Sequence, residues 1–211
     1  MTSFYTESAL ITKILGALIY FRPSEFSDNG LDRVLTLQVE SQESSALIKT
    51  FQSVLDQFNR TDIDTLNMAH DEFFSGIGDM PVPPWGSVYL DRECVLFGES
   101  TSEYKQFLVQ QGFEFETHNN DPLDHIGLML MTLGALLENQ TADEASAALE
   151  ELLSHHLLPW APHYLRQVAP LISEPAYAQA IALTQTLFND LQTAFNLAVK
   201  PRQIYFKIAQ Q

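Results

Sequence analysis

Residues 120–137, "NDPLDHIGLMLMTLGALL", place two aspartates, a proline and a histidine directly before a run of uncharged, mostly apolar residues. This run is shorter than the roughly 20 residues that span a bilayer, so it indicates a helix buried inside the protein. Asp121 is suited to cap such a helix, Pro122 to be its first residue and Asp124 to accept from exposed amides of its first turn. The stretch therefore predicts a buried helix over residues 122–139 that begins at a polar motif.

The rest of the chain has the same helical rhythm. Apolar residues recur at three- and four-residue spacing, and sustained alternation with β-branched residues is scarce. With 211 residues, 45% of them hydrophobic, the chain can bury the core of one domain. We therefore predict an all-α protein in which residues 1–211 form a single compact multi-helix domain. The predicted helices span residues 4–20, 29–40, 43–59, 62–75, 101–111, 122–139, 142–157, 161–171 and 174–198.

Several predicted helix boundaries carry capping residues. Ser100 is followed three residues later by Glu103, and Thr141 stands in the same relation to Glu144. This spacing is typical of a capping box, in which the first residue caps the helix and the acid reaches back to it. Gly112 follows an apolar-periodic segment and is placed to end that helix.

One long region, residues 75–99, lacks helical rhythm. Its sequence "SGIGDMPVPPWGSVYLDRECVLFGE" is rich in glycine, proline and aromatic residues, and it predicts a long packed loop with short extended or turn segments. Trp85 and Tyr89 lie in this loop, and Trp160 lies in a second Pro-Trp segment. These rings either hold irregular segments onto the core or form the wall of an apolar groove, and the sequence leaves both readings open.

The net charge of the chain favours some classes of binding partner over others. The chain has 27 acidic and 11 basic residues, a formal net charge of −16, which repels nucleic acid and anionic membrane surfaces and favours a peptide that carries Lys or Arg. A single cysteine, Cys94, excludes an intrachain disulfide and fits a reducing cytoplasm. The first residues lack the basic segment and cleavage site of a secretory signal, and no stable membrane insertion is expected.

Catalytic and metal motifs are weak. Consecutive helix residues point apart, so a direct relay between Asp124 and His125 is unfavourable; helix capping is the simpler explanation of the pair, and a polar site for a charged partner group is the alternative. The histidines at 155, 156 and 163 do not have the spacing of a metal motif. "GIGDMP" lacks the lysine and preceding strand of a phosphate-binding loop. No catalytic residue and no metal site is predicted.

Five stretches, "LNMAHDEFFSG", "PPWGSVYLDRE", "VLFGEST", "NDPLDHIG" and "HHLLPWAPHYL", together resemble the TorD/DmsD family of redox-enzyme maturation chaperones, and within it the DmsD group. The resemblance implies an all-helical cytoplasmic chaperone without enzymatic activity. By the same resemblance, the protein is expected to bind the twin-arginine signal peptide of a molybdenum-cofactor oxidoreductase, of the dimethyl sulfoxide or trimethylamine N-oxide reductase type. It is also expected to delay Tat export of that enzyme until the cofactor is inserted. Weak guanine-nucleotide binding, and a monomer or domain-swapped dimer, are further properties that the resemblance implies.

The family motif Glu-Pro-x-Asp-His falls on Pro122, Asp124 and His125, with Asp121 in place of the glutamate. We expect Asp124 and nearby acids to engage the arginines and His125 to orient or hydrogen-bond the peptide. Aromatic side chains are expected to line or support an apolar groove. The expected signal-peptide-binding residues are Trp85, Gly86, Tyr89, Phe97, Gly98, Asp121, Pro122, Asp124, His125 and Trp160. The alternatives are an assembly scaffold that binds the mature oxidoreductase subunit and, with less support, a small enzyme with His125 as general base.

Overall fold

A computed structural model describes residues 2–39, 44–78, 80–114, 117, 121–141 and 145–207. Within these ranges the chain forms helices and no strand, which confirms the predicted all-α class. None of the helices in these ranges is long and apolar enough to cross a membrane. In chain order the helical segments are α1 (Thr2–Tyr20), a 3-10 turn (Pro23–Glu25), α2 (Leu31–Leu35), α3 (Ala46–Arg60), α4 (Ile63–Phe73), α5 (Gly86–Leu90), α6 (Glu99–Gln110), α7 (Ile126–Glu138), α8 (Ala147–Glu151), a π-turn (Leu152–Leu157), α9 (Ala161–Val168) and α10 (Pro175–Ala194).

Helices α1 and α7 form the most extensive helix pair, and glycines let them meet at backbone distance. A Cβ atom added to Gly127 of α7 would lie 2.6 Å from the carbonyl oxygen of Gly16 on α1. Leu130 and Leu133 of α7 are completely buried, as the apolar run predicts. Helices α3 and α10 pack against each other and against α1. The core is therefore built around a central pair whose helix starts and ends also shape the candidate site.

The start of α7 differs from the prediction. The helix begins at Ile126, and His125 is its N-cap, with Nδ1 accepting a hydrogen bond from the Gly127 amide at 3.1 Å. The amide of Ile126 instead donates to the carbonyl of Pro84 at 2.8 Å, within an isolated β-bridge. This long-range pairing holds His125 in an extended conformation, with φ −63° and ψ 133°, so the helix begins after residue 125 and not at 122.

The interpretation of Asp121 as N-cap, Pro122 as first helical residue and Asp124 as a first-turn acid of α7 is therefore wrong. All three residues precede the helix. Pro122 is buried, and its carbonyl accepts weakly from the amide of His125 at 3.4 Å. The segment is a capping motif, but Asp124 caps a different helix.

Ser100 was predicted to be the N-cap of α6. The helix begins one residue earlier, at Glu99, so this prediction is wrong. The amide and hydroxyl of Ser100 both donate to the carboxylate of Asp91, which lies in the preceding loop. Gly98 is required for this arrangement, because a Cβ atom there would overlap the Asp91 carboxylate. The cap of α6 therefore comes from nine residues upstream in the sequence.

The segment predicted as one helix over 142–157 is divided. Helix α8 begins at Ala147 with Ser146 as N-cap, so Thr141 does not cap it, and Glu144 lies outside the described residues. From Leu152 the backbone continues as the π-turn. A π-helical insertion widens the helix and leaves main-chain carbonyls open to other partners.

Other helix ends are set by local backbone chemistry. Gly112 ends α6 with a φ of 74°, as predicted. Helix α9 ends at Val168 rather than 171 because Pro170 cannot continue it. Helix α10 ends at Ala194 rather than 198, because Asn196 adopts a left-handed φ of 47° and closes the helix.

One predicted helix is shorter than expected, and one predicted loop contains a helix. Helix α2 covers Leu31–Leu35 rather than 29–40, because the buried side chain of Gln52 forms hydrogen bonds with the backbone of Leu37 and Val39 and holds them outside the helix. The predicted loop over 75–99 contains α5, so "SVYL" is helical rather than extended. The loop is therefore shorter than predicted.

Candidate functional site

The starts of α5 and α7 lie side by side and cap each other. The amide of Gly86 donates to the carbonyl of Asp124 at 3.1 Å, across the antiparallel bridge that pairs Trp85 with His125. The side chain of Asp124 completes the contact, because its Oδ2 accepts from the Ser87 amide of α5 at 2.6 Å. Asp124 is thus the cap of α5 and not a residue of the α7 helix.

Asp124 is buried, with 3% of its surface exposed. Burial raises the pKa of its carboxyl group, and the hydrogen bond from the Ser87 amide opposes this. It lines a cavity of about 10 Å³ together with Gly86 and Trp160. We predicted that this carboxylate engages the arginine of a peptide. In the structure it does not lie at the surface, where such a contact would form.

His125 is also fully engaged within the chain. Its Nδ1 accepts from Gly127, so the proton is on Nε2, which donates to the carbonyl of Phe74 at 3.1 Å. The rings of Tyr20 and Trp85 each meet it edge-on at 5.3 Å. Burial lowers the pKa of His125 to about 3. With so low a pKa and both nitrogens hydrogen-bonded, the imidazole is a poor general base near pH 7, and it has no free nitrogen to offer a peptide.

A groove opens beside this histidine, and we call it the aromatic groove. It has a volume of about 170 Å³ and lies between the C-terminal end of α1, the 3-10 turn, the C-terminal end of α4 and the start of α7. Trp85, Asp121 and His125, three of the predicted site residues, lie together in its wall. Tyr20, Phe74 and other side chains that the sequence did not single out complete it.

The wall of the aromatic groove contains buried polar atoms without a partner. Trp85 Nε1, a donor, has no hydrogen-bond partner in the described part of the chain, and neither has His70 Nδ1. His70 donates from Nε2 to the carbonyl of Ile19, so Nδ1 is left as an acceptor, and burial lowers the pKa of His70 to about 4. Unpaired buried polar atoms are rare in folded proteins, and here they give the groove unused donor and acceptor capacity.

The mouth of the aromatic groove is acidic. Asp121 Oδ2 accepts from the Tyr20 hydroxyl at 3.2 Å, and Glu25 is exposed at the same mouth. Arg22, also in the wall, is already held by Asp71 through two hydrogen bonds of 2.9 and 2.8 Å, which lower the pKa of Asp71. Within the described ranges Asp121 and Glu25 form no ion pair with a Lys or Arg side chain. The groove therefore favours a cationic group.

The remaining predicted residues lie elsewhere. Tyr89 and Trp160 are fully buried and stack with ring centroids 5.4 Å apart, so they support α5 from beneath rather than line the groove. Gly86 lies against this pair, because a Cβ atom there would be 2.9 Å from the Trp160 indole nitrogen. Phe97 is 57% exposed in the loop before α6, and Gly98 packs on the capping carboxylate of that helix.

Eight residues of the groove were missed by the sequence analysis: Tyr20, Phe21, Arg22, Glu25, His70, Phe74, Ser75 and Ile77. Phe74 belongs to the "LNMAHDEFFSG" motif, so a signal was available for it and for the neighbouring His70. Nothing in the sequence near Tyr20 or Glu25 indicates a site. In the described ranges no three His, Cys, Asp or Glu side chains are arranged to hold a metal ion.

The chain is similar in sequence to known proteins. The family model described as nitrate reductase delta subunit matches residues 38–166. The Tat proofreading chaperone DmsD of Salmonella typhi is 33% identical over 206 residues, which cover 95% of this chain and 98% of that protein. The probable Tat proofreading chaperone DmsD of Haemophilus influenzae is 32% identical over 198 residues, 92% of this chain and 94% of that protein. The chaperone protein TorD of Vibrio vulnificus is 25% identical over 177 residues, 75% and 82% of the two chains.

The chain therefore belongs to the TorD family, the class of proteins to which this family model and these relatives assign it. Within that family, relatives at about one-third identity over nearly the whole chain carry the name Tat proofreading chaperone DmsD.

Proposed function

We propose that this protein is a chaperone that binds the twin-arginine signal peptide of a molybdenum-cofactor oxidoreductase and delays Tat export of that enzyme until the cofactor is inserted. The observation that carries the proposal is the aromatic groove, in which Trp85 and Tyr20 lie beside the carboxylates of Asp121 and Glu25. A twin-arginine signal joins basic residues to apolar ones, and the groove offers both kinds of surface. The names of the DmsD relatives support the same function.

The groove can recognise an arginine by its shape as well as by its charge. Arginine presents a planar fork of donors that suits carboxylates and stacks on aromatic rings. Asp121 and Glu25 supply the carboxylates, and His70 Nδ1 supplies a buried acceptor. Arg22, bound by two hydrogen bonds to Asp71 in the same wall, is an example of a guanidinium held in this place.

Asp124 and His125 act in this proposal by positioning the groove. Asp124 holds the first turn of α5 and so fixes Trp85, while His125 fixes the rings of Trp85 and Tyr20. The residue that meets the peptide's arginine is Asp121, at the position where the family motif has a glutamate. This assignment replaces the direct contact expected for Asp124.

We infer that the chain is not an enzyme and that it acts in the cytoplasm. The neutral, fully bonded His125 is unsuited to general base catalysis near neutral pH. The single cysteine and the acidic surface fit a protein that works on a basic peptide in a reducing compartment. Weak guanine-nucleotide binding and the choice between monomer and domain-swapped dimer stay predictions.

Titration calorimetry with a synthetic twin-arginine signal peptide tests the proposal. Asp121→Asn is expected to weaken binding about ten-fold, because a hydrogen-bonded charge pair contributes on the order of 1.5 kcal/mol. Asp190→Asn, which removes the same charge from an exposed site on α10, serves as the matched control and should bind like the unmodified protein. A Lys-Lys version of the peptide should also bind more weakly.

Equal affinities for Asp121→Asn and Asp190→Asn would contradict the assignment of the arginine site. If no twin-arginine peptide binds, while the mature oxidoreductase subunit without its signal does, the assembly-scaffold alternative is correct.

A further inference from the structure

After α10 the chain turns back across the molecule. Asn196 closes the helix, and residues 197–207 then run without helical structure; we call them the C-terminal strap. Its amides bond to two other elements: Lys200 donates to the carbonyl of Ser154 in the π-turn at 3.2 Å, and Tyr205 donates to the carbonyl of Tyr89 in α5 at 2.9 Å. The strap is therefore attached through its backbone at two points.

Side chains of the C-terminal strap add polar and apolar contacts. Arg202 forms an ion pair of 3.1 Å with Glu103 of α6. The ring of Phe206 meets Tyr89 edge-on at a centroid distance of 5.3 Å. Tyr89 has no exposed surface in this arrangement, whereas Phe206 is only half-buried. The strap thus covers a surface made of α5, the π-turn and α6, which we call the strap surface.

The strap surface has features of a peptide-binding site. Main-chain carbonyls at the end of α5 and in the π-turn have no helical partner to satisfy them, and they accept from the amides of an extended chain. Peptide recognition by backbone hydrogen bonds with alternate side chains in pockets has this form. Among the residues that the structure describes, the buried Ser154 Oγ has no hydrogen-bond partner. A cavity of about 380 Å³ beside Lys200 and Arg202, against α6, shows that the strap leaves part of the surface unfilled.

In the sequence of the strap, basic residues come before apolar ones. Residues 200–207, "KPRQIYFK", contain three of the 11 Lys and Arg residues of this acidic chain, and an isoleucine, a tyrosine and a phenylalanine follow the first two. A basic segment followed by an apolar one is also the pattern of the proposed ligand. The strap therefore presents, within the same chain, the chemistry that the protein is proposed to recognise in a peptide.

The aromatic groove and the strap surface share one short helix. Trp85 at the start of α5 lies in the groove, and Tyr89 lies under the strap. They are four positions apart in the chain, a rise of roughly 6 Å along a helix axis. The groove and the strap surface are therefore joined through this helix.

We propose that the strap surface is a second peptide-binding surface, that it takes the apolar part of an extended basic-then-apolar peptide, and that the C-terminal strap occupies it until such a peptide displaces it. The proposal rests on the proposed function, since the peptide in question is the signal peptide whose arginines bind in the aromatic groove.

Phe206→Ala in the full chain, titrated with the twin-arginine signal peptide, tests the proposal. The substitution loosens the strap, so the affinity is expected to rise about three- to ten-fold, the range that corresponds to one aromatic pair. Gln203→Ala, an exposed position in the same strap, is the matched control and should leave the affinity unchanged. Amide hydrogen exchange at Lys200 and Tyr205 of the unmodified protein should become faster when the peptide binds.

A synthetic peptide of residues 197–207 separates failure of this proposal from failure of the proposed function. If this synthetic peptide binds to the Phe206→Ala protein, the strap surface is a peptide-binding surface. If the synthetic peptide binds and no twin-arginine signal peptide binds, the proposed function fails while the strap surface stands. Signal-peptide affinity that is equal in Phe206→Ala and Gln203→Ala, with unchanged exchange at Lys200 and Tyr205, overturns the strap surface and leaves the proposed function standing.

Discussion

Burial of His125 as a neutral imidazole makes part of the stability of this protein depend on pH, and one substitution isolates that part. The folded-state pKa of about 3 is below the ordinary value of 6.5, so between these pH values the unfolded chain binds a proton that the folded chain does not. Stability rises with pH wherever the unfolded state binds more protons. The contribution of His125 is therefore complete above its ordinary pKa and is lost as the pH falls toward 3.

The size of this effect between pH 7 and pH 5 follows from the two pKa values. An unfolded histidine changes from about one-quarter protonated to almost fully protonated over this range, whereas folded His125 stays neutral. Integration gives a loss of about 2 kcal/mol in the free energy of unfolding. The result depends little on the folded-state value, because that value lies well below pH 5. His125→Gln removes this titration, so the stability advantage of the unmodified protein over the variant should shrink by the same amount.

Urea unfolding at pH 7, 6 and 5, followed by circular dichroism, measures this difference. Comparison with the variant cancels the general effect of pH on a chain of net charge −16, because both proteins share it. His155→Gln, which removes an exposed histidine of the π-turn, is the matched control. A flat difference for His125→Gln would show that His125 titrates in the folded protein as it does in the unfolded one, and would refute the neutral buried imidazole.

Four other substitutions, at three positions, test the contacts that shape the site. Gly98→Ala should lower the free energy of unfolding by about 1–3 kcal/mol in urea, because its Cβ would overlap the carboxylate of Asp91; an unchanged midpoint would contradict this. Asp124→Ala should cost about 1–2 kcal/mol by removing the cap on the Ser87 amide. Asp124→Asn keeps an acceptor and removes a carboxyl group whose pKa burial raises, so it should be at least as stable as the unmodified protein at pH 7. Gly127→Ala should lower the thermal midpoint and weaken signal-peptide binding together, because its Cβ would push α1 away from α7; a loss of stability with full binding would separate the helix pair from the groove.

The long helices could be predicted because their information is local. Helices α1, α3 and α10 carry an apolar period over several turns, and their bounds differ from the prediction by a few residues at most. Gly112 ends α6 as expected, since a left-handed turn at a helix end needs only the residue itself and its neighbours. These features depend on interactions between residues that are close in the sequence, so the sequence alone is enough to predict them.

The helix starts near the site could not be predicted, because their caps come from elsewhere in the chain. Asp124 was recognised as a capping residue, but it caps α5 across a bridge instead of α7. Ser100 was predicted to cap α6, and it is instead held by Asp91. A pattern within one segment identifies the capping residue type, whereas only the tertiary structure decides which helix receives it.

The same limit applies to the aromatic groove. Motifs led to Trp85, Asp121 and His125, which the structure brings together. Tyr20 bonds to a residue 101 positions away in the chain, so its place in the groove depends on the packing of α1 against α7. The sequence therefore predicted one wall of the groove and not the other.

The length of α5 determines how a peptide can bind at the strap surface. A helix as short as Gly86–Leu90 is not stable alone, since isolated helices need on the order of 12 residues, so its conformation depends on the contacts at both ends. Asp124 satisfies an amide at its start, and the Tyr205 amide satisfies the Tyr89 carbonyl near its end. A ligand that displaces the strap has to replace that donor, because an unpaired buried carbonyl costs about 1–3 kcal/mol. A helical peptide has no amide to spare except in its first turn, so the apolar part of the ligand should bind there in an extended conformation.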